Sequence, residues 1–254
     1  MNWLGKQSRC HGLAIIELLT VLGILLLLLG IVIPMFVEAR ERSSRFYCQN
    51  NLRQIGQALS IYFADNKGQT PMPSQDQFPP GGPGPENVSA AIFHLMKVCE
   101  LQPRLFVCPN TDAVPDDFEG ESIQSRFDFT DCRRNLSYSM QNPYPADSLA
   151  DGLRRFRAAK PDFVIMADMN PGIIGEDDNV LAITATAPER IVRWGNSNNH
   201  SKRGQNVLYA DGRVEFVETP FVGVDGDNIY ATRNYTVLDY PADEDDNILL
   251  PTDD

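Results

Sequence analysis

The chain has 254 residues, a formal net charge of −12 and no basic stripe. That length suits one sizeable domain beside a membrane segment better than two domains, and the acidic balance argues against nucleic acid as a partner. The charge is uneven: Asp225 to Asp254 carries nine acids against one Arg, whereas Arg40 to Arg53 carries four Arg and one Glu.

The first element organises the rest. From Leu13 to Ile33 there are 21 residues, of which only Glu17 is ionisable and only Thr20 otherwise polar. As a helix rising about 1.5 Å per residue this stretch spans roughly 30 Å, the thickness of a bilayer's hydrocarbon core. A carboxylate at that depth costs at least a few kcal/mol (about 2.5–3.5 on insertion scales) without a cationic partner. The stretch contains no Lys or Arg, so the partner is expected from elsewhere.

Gly12, then Leu13 and an apolar run with Glu17 at its fifth place, follow a short leader carrying Lys6 and Arg9. This arrangement resembles the class III signal of type IV pilins and type II secretion pseudopilins. The resemblance implies cleavage between Gly12 and Leu13 by a prepilin peptidase, N-methylation of Leu13, and storage in the inner membrane with the head outside the cytoplasm. It also implies that Glu17 pairs with the Leu13 ammonium of a neighbouring subunit, which supplies the missing cation. The family more often has Phe at Leu13 and Thr-Leu within Ala14-Ile15-Ile16. Two plainer readings compete: a secretory signal peptide cut near Val37-Glu38-Ala39, for which the apolar core is too long, and a simple anchor whose Glu17 snorkels to the interface. Counting Lys6 and Arg9 before the span against Arg40, Arg42, Arg45 and Arg53 after it would by itself place the head inside, opposite to what the resemblance implies.

After Pro34, expected to kink the helix, Cys48, Leu52, Ile55, Leu59 and Tyr62 recur at spacings of four and three. They draw one apolar seam down an amphipathic continuation over 35–66. The helix is expected to end near Asp65-Asn66-Lys67-Gly68, with Gly68 in a left-handed cap and Pro71 and Pro73 beyond it. Residues 67–88, rich in Pro and Gly, read as an exposed loop. Asn87 to Glu100 reads as a short helix capped by Ser89, with His94 a half-exposed residue rather than a ligand.

A globular head over 89–240 follows. Leu105–Cys108, Asn135–Met140 and Phe163–Asp168 are strand candidates. Asn206–Ala210 and Arg213–Val217, joined by Asp211-Gly212, read as a hairpin with a two-residue turn. The predicted class is α+β, a pilin-like antiparallel sheet lying on the second half of the long helix. Residues 241–254, with Asp243-Glu244-Asp245-Asp246, read as a solvated acidic tail.

Four head-side cysteines, Cys48, Cys99, Cys108 and Cys132, permit disulfides in an exported domain. Cys108 with Cys132 or Cys99 are the candidate pairs, and buried free thiols the alternative. His200 followed by Asp211-Gly212 resembles the C-terminal signature of prepilin-like proteins of planctomycete type, with ten residues intervening here where the signature has nine. Asn50–Gly56, Phe106–Pro109 and Leu136–Ser139 resemble the same group. His200 reads as a polar loop residue and Asp211-Gly212 as a turn; the competing reading makes His200 and Asp211 an orienting pair in a membrane-anchored hydrolase or binding module, for which no nucleophile elbow is present. No zinc spacing is present. Calcium suits two acidic turns, Asp225-Gly226-Asp227-Asn228, with Asp225 and Asp227 as ligands, and Glu176-Asp177-Asp178-Asn179; the first resembles the place where major pseudopilins carry it. The expected role is structural, not enzymatic: a subunit polymerising with copies of itself or with other pilin-like subunits.

Overall fold

The computed structural model describes residues 15–78, 82, 84, 87–144, 160–174 and 179–253. Gly12, Leu13 and the acidic turn 176–178 lie outside these residues. The chain divides into two compact units, Met1–Arg42 and Ser43–Asp254.

Helix α1 runs from Ile15 to Asp65 and continues through Pro34. Within the first unit its side chains from Ile15 to Val37 are all exposed, an apolar surface long enough to cross a membrane. In the second unit α1 turns one stripe inward: Cys48, Leu52, Ile55, Leu59 and Tyr62 are buried, as the spacing predicts. Fully burying each such aliphatic side chain is worth roughly 1.5–3 kcal/mol, so this seam is a main anchor of the head. The helix ends as expected, but the left-handed conformation begins at Lys67 (φ 57°) before Gly68 (φ 80°), and the Gly68 amide reaches back to the Phe63 carbonyl at 2.7 Å. The loop beyond is less exposed than its composition suggests. Thr70, Pro71 and Pro73 are buried, and Met72 packs on the core.

Helix α2 (Val88–Val98) lays Val88, Ala91, Ile92, Leu95 and Met96 against the α1 seam. Ser89 does not cap it; its hydroxyl donates to Asp128 Oδ2 at 2.7 Å. Leu105–Cys108 is not a strand. Pro103 begins a 3₁₀ turn that closes at Phe106, because its fixed φ favours a first-turn position, and Pro109 then removes the amide a ladder would need. A one-turn helix α3 (Cys132–Asn135), capped by Asp131, precedes the sheet.

Five described strands form one antiparallel sheet: β1 (Tyr138–Gln141), β2 (Val164–Asp168), β3 (Gln205–Tyr209), β4 (Val214–Val217) and β5 (Leu249–Leu250), in the order β4-β3-β2-β1-β5. One face meets α1 and α2 through Tyr138, Met140, Met166 and Leu208; the other buries Val164, Ala167, Val207 and Leu249 against Ile229 and Tyr230. The α1–sheet approach is close, since a Cβ at Gly56 would stand 2.9 Å from Leu208 Cδ1. Ile165 and Met166 are neighbours in sequence yet both belong to the helix-side core. The register shift between Val164 and Met166 accounts for this, because a bulge breaks the alternation of faces.

The β3–β4 hairpin forms where Asp-Gly predicts it, but its loop holds three residues, Ala210 to Gly212. Tyr209 pairs with Arg213, and the Gly212 amide bonds the Tyr209 carbonyl at 2.9 Å. Gly212 sits at φ 87°, the left-handed position of a turn followed by a bulge.

The acidic end is not a solvated tail. Ile248, Leu249 and Leu250 are fully buried, and β5 pairs Leu250 with Met140. Several of its acids are bound: Asp243 by Arg233 at 2.8 Å, Asp245 by Lys160 at 2.7 Å, and Asp246 by the backbone amides of Arg233 and Ala242.

Candidate functional site

A row of polar side chains crosses the helix-side face of the sheet at one end. Tyr138 on β1 stands opposite Asp168 on β2. Asn206 on β3 falls one step beyond the Ala167–Val207 pair. Alternation puts these three on the same face, and all are fully buried. Cys48 comes down onto this row from α1, Cys108 from the segment after the 3₁₀ turn, and His200 from a further 3₁₀ turn, Asn198–His200, capped by Ser197.

Asp168 is the hub. Its Oδ2 accepts the Asn206 backbone amide at 2.6 Å and the Asn206 side chain at 3.0 Å; its Oδ1 accepts Asn199 Nδ2 at 3.2 Å. His200 Nε2 lies 3.4 Å from Asp168 Oδ2 and 4.0 Å from Cys108 Sγ. The Cys48 and Cys108 sulfurs are 2.8 Å apart, with Cys48 as donor. Asn51, one turn along α1 from Cys48, donates to the Val107 carbonyl and the Tyr138 hydroxyl, each at 3.2 Å, and so fixes both walls of the cluster.

The electrostatics follow from these contacts. The hydrogen bond from Cys48 draws the Cys108 thiol down to about 7 against its burial, with His200 acting in the same direction. The same bond, with burial, drives Cys48 far above the ordinary thiol range. Burial opposes a charged His200, but hydrogen bonds and charge from Asp168 and Cys108 outweigh it and raise the imidazole to about 10. Both shifts favour charge separation, with the proton on His200 and negative charge on the Cys108 sulfur. Because the folded value of His200 lies above its ordinary 6.5, its contribution to stability is complete below about pH 6.5 and is lost as pH rises through about 10. Cys108 works oppositely, its contribution present above about pH 9 and lost as pH falls through about 7. Denaturant unfolding of the reduced chain across this range is expected to show an alkaline decline that His200→Gln lessens, the raised Cys48 thiol supplying a further decline above about pH 9; a decline unchanged in that variant contradicts the assignment.

Among the described residues, Cys48, Cys108 and His200 are the group of three metal-binding side chains whose donor atoms all lie within 4.8 Å. The group does not fit a tetrahedral ion as arranged. Two sulfurs on one zinc, each at about 2.3 Å, stand about 3.8 Å apart, whereas these stand at 2.8 Å, and Nε2 already faces Asp168.

Several expectations are corrected here. His200 is fully buried rather than a polar loop residue, and its carboxylate neighbour is Asp168, not Asp211. Asp211 is exposed in the hairpin turn, accepting the Arg213 amide at 3.0 Å. The cysteine pairs expected from the sequence do not form. Cys132 faces Asp128 Oδ1 and Cys99 the Ala58 carbonyl, each at 3.8 Å, and the neighbour of Cys108 is Cys48. The two calcium candidates have separate tasks. Asp225 is exposed at φ 58°. Asp227 is half-buried with its side chain largely covered, accepts the Asn247 amide at 2.8 Å and lies 3.7 Å from Arg233; burial raises it to about 7. It ties the C-terminal segment to the head. His94 is half-buried and edge-on to Tyr62. Sequence reasoning missed Asp168, Asn206 and Cys48 as parts of one site. The available signal was polar residues at ends of apolar strands and a cysteine on a buried seam.

Fold and site define an α+β head on the second half of a helix whose first half is apolar, with a buried Cys–His–Asp cluster at one end of the sheet. No family model, curated protein or solved structure matches the chain.

Proposed function

We propose that the chain is a pilin-like or pseudopilin-like subunit. It is cleaved after Gly12 by prepilin peptidase, N-methylated at Leu13 and held in the inner membrane by a single span with the head outside. It assembles with copies of itself or with other pilin-like subunits into a type IV pilus or a type II secretion pseudopilus. The observation that supports this most is the division of labour along α1. One uninterrupted helix carries an exposed apolar half with a single carboxylate, Glu17, and then a half whose seam is buried under an α+β head. An ordinary anchor needs only the first half. Here the same helix goes on to supply the buried seam of the head. The role is structural, made of helix packing and charge pairing rather than catalysis.

The test is fractionation. Material sheared from cells or collected from overexpressing membranes is expected to hold the mature chain in assemblies of high molecular mass. Recovery of monomer alone, from membranes that assemble other pilin-like subunits, contradicts the proposal.

A further inference from the structure

We infer that Cys48 and Cys108 close into an intramolecular disulfide that pins α1 to the head, an inference whose setting, though not its geometry, rests on the outward placement of the head proposed above. The two sulfurs lie 2.8 Å apart and fully buried, on segments 60 residues apart in sequence. The other two cysteines of the head, Cys99 and Cys132, sit elsewhere, against Ala58 and Asp128. Both sulfurs are held from behind. Cys48 rides on a continuous helix with Asn51 bridging to Val107, the residue before Cys108. On the far side His200, set by Asp168, stands 4.0 Å from Cys108 Sγ. The sulfurs already stand inside van der Waals contact, so a cross-link needs them to close by less than about 1 Å.

The bond forms by thiol–disulfide exchange. The Cys108 thiol loses its proton and, as thiolate, attacks one sulfur of a disulfide-bearing oxidant, either a thiol–disulfide oxidoreductase or a small disulfide, and expels the other sulfur as a thiolate that takes up a proton. Cys48 then loses its proton and attacks Cys108 Sγ in the mixed disulfide, releasing the oxidant's second thiol. Two thiols of the chain lose two electrons and two protons; the oxidant's disulfide gains both. Since neither sulfur is exposed once the core is packed, the exchange belongs to folding, before α1 closes over the sheet, and the finished bond is shielded from reductants. Its effect is to prevent α1 from peeling away from the head, where a filament under load would pull.

The experiment uses the full chain in detergent, alkylated before reduction and digested for mass spectrometry, prepared both from native membranes and after refolding in a glutathione redox buffer. A peptide pair joined through Cys48 and Cys108, with Cys99 and Cys132 alkylated, is the expected result in both. Closing a loop of this length is expected to raise the melting temperature of the wild type above Cys48→Ser and Cys108→Ser by about 10 °C, with Cys99→Ser unchanged. Linkage in the refolded chain with free thiols in native membranes overturns the outward placement and leaves the pairing. Free Cys48 and Cys108 thiols in both preparations, or stoichiometric zinc released on their alkylation, overturn the pairing itself.

Discussion

Replacing Asp168 with alanine is expected to cost the head about 3–5 kcal/mol, the range for removing one partner of a buried charge pair, and so to consume much of a typical domain's stability of about 5–15 kcal/mol. The size follows from what the carboxylate serves. It accepts two hydrogen bonds from Asn206 and one from Asn199, and it faces His200 Nε2. All of these groups are buried. Truncation removes the acceptor that these buried groups share. Asp168→Asn keeps the shape and one acceptor oxygen, so its expected loss is smaller but still substantial, because His200 then stands charged beside an amide or gives up its proton. Denaturant unfolding of the full chain in detergent measures both variants. A loss under about 1 kcal/mol for Asp168→Ala would show that the row is solvated rather than sealed.

Replacing Glu17 with leucine has the second large expected effect, on assembly instead of folding. The span becomes wholly apolar, so membrane insertion is retained or improved. Under the proposed pairing of Glu17 with the Leu13 ammonium of a neighbouring subunit, assembly loses the ion pair that would set the register between them. On insertion scales a charge in hydrocarbon is worth about 2.5–3.5 kcal/mol; if pairing recovers most of that, its loss lowers the assembled fraction by about two orders of magnitude, at about 1.4 kcal/mol per tenfold. The readout is the ratio of filament to membrane-bound subunit. Thr20 separates the effect from local helix damage. Its hydroxyl bonds the Glu17 backbone carbonyl at 2.8 Å, a contact that survives the substitution. Wild-type filament yield from Glu17→Leu would remove the role assigned to the carboxylate.

What could be read from the sequence divides along the range of the interactions. The seam from Cys48 to Tyr62 was legible because a helix repeats its buried face every three or four residues, and every residue of it is buried. The β3–β4 hairpin was legible from Asp211-Gly212, since only a residue tolerant of positive φ closes such a loop. Its length was not, because Asp-Gly serves a two-residue turn and a three-residue turn with a bulge equally well. Leu105–Cys108 looked like a strand because four apolar residues in a row satisfy either a strand or a buried turn. Strand β5 was hidden by its surroundings. Leu249–Leu250 is a two-residue strand at the end of an acidic segment, and its partner, β1, lies more than a hundred residues upstream.

The site was the least legible part, for the same reason. His200 drew notice through its spacing to Asp211-Gly212, yet the carboxylate it meets is Asp168, placed by sheet register. Cys48 was read as one more apolar residue on a helix face, as its burial warrants, while its neighbour Cys108 comes from a separate segment. Composition and local period cannot announce either meeting. Both depend on how far β1 and β2 are offset and on where α1 crosses them.

The Gly12–Leu13 junction decides whether this chain is processed as a pilin-like subunit, and mass spectrometry of the N-terminus of the chain isolated from native membranes tests that most directly. The predicted result is a mature chain beginning at N-methylated Leu13. An intact Met1, or a chain cut after Ala39, would contradict it.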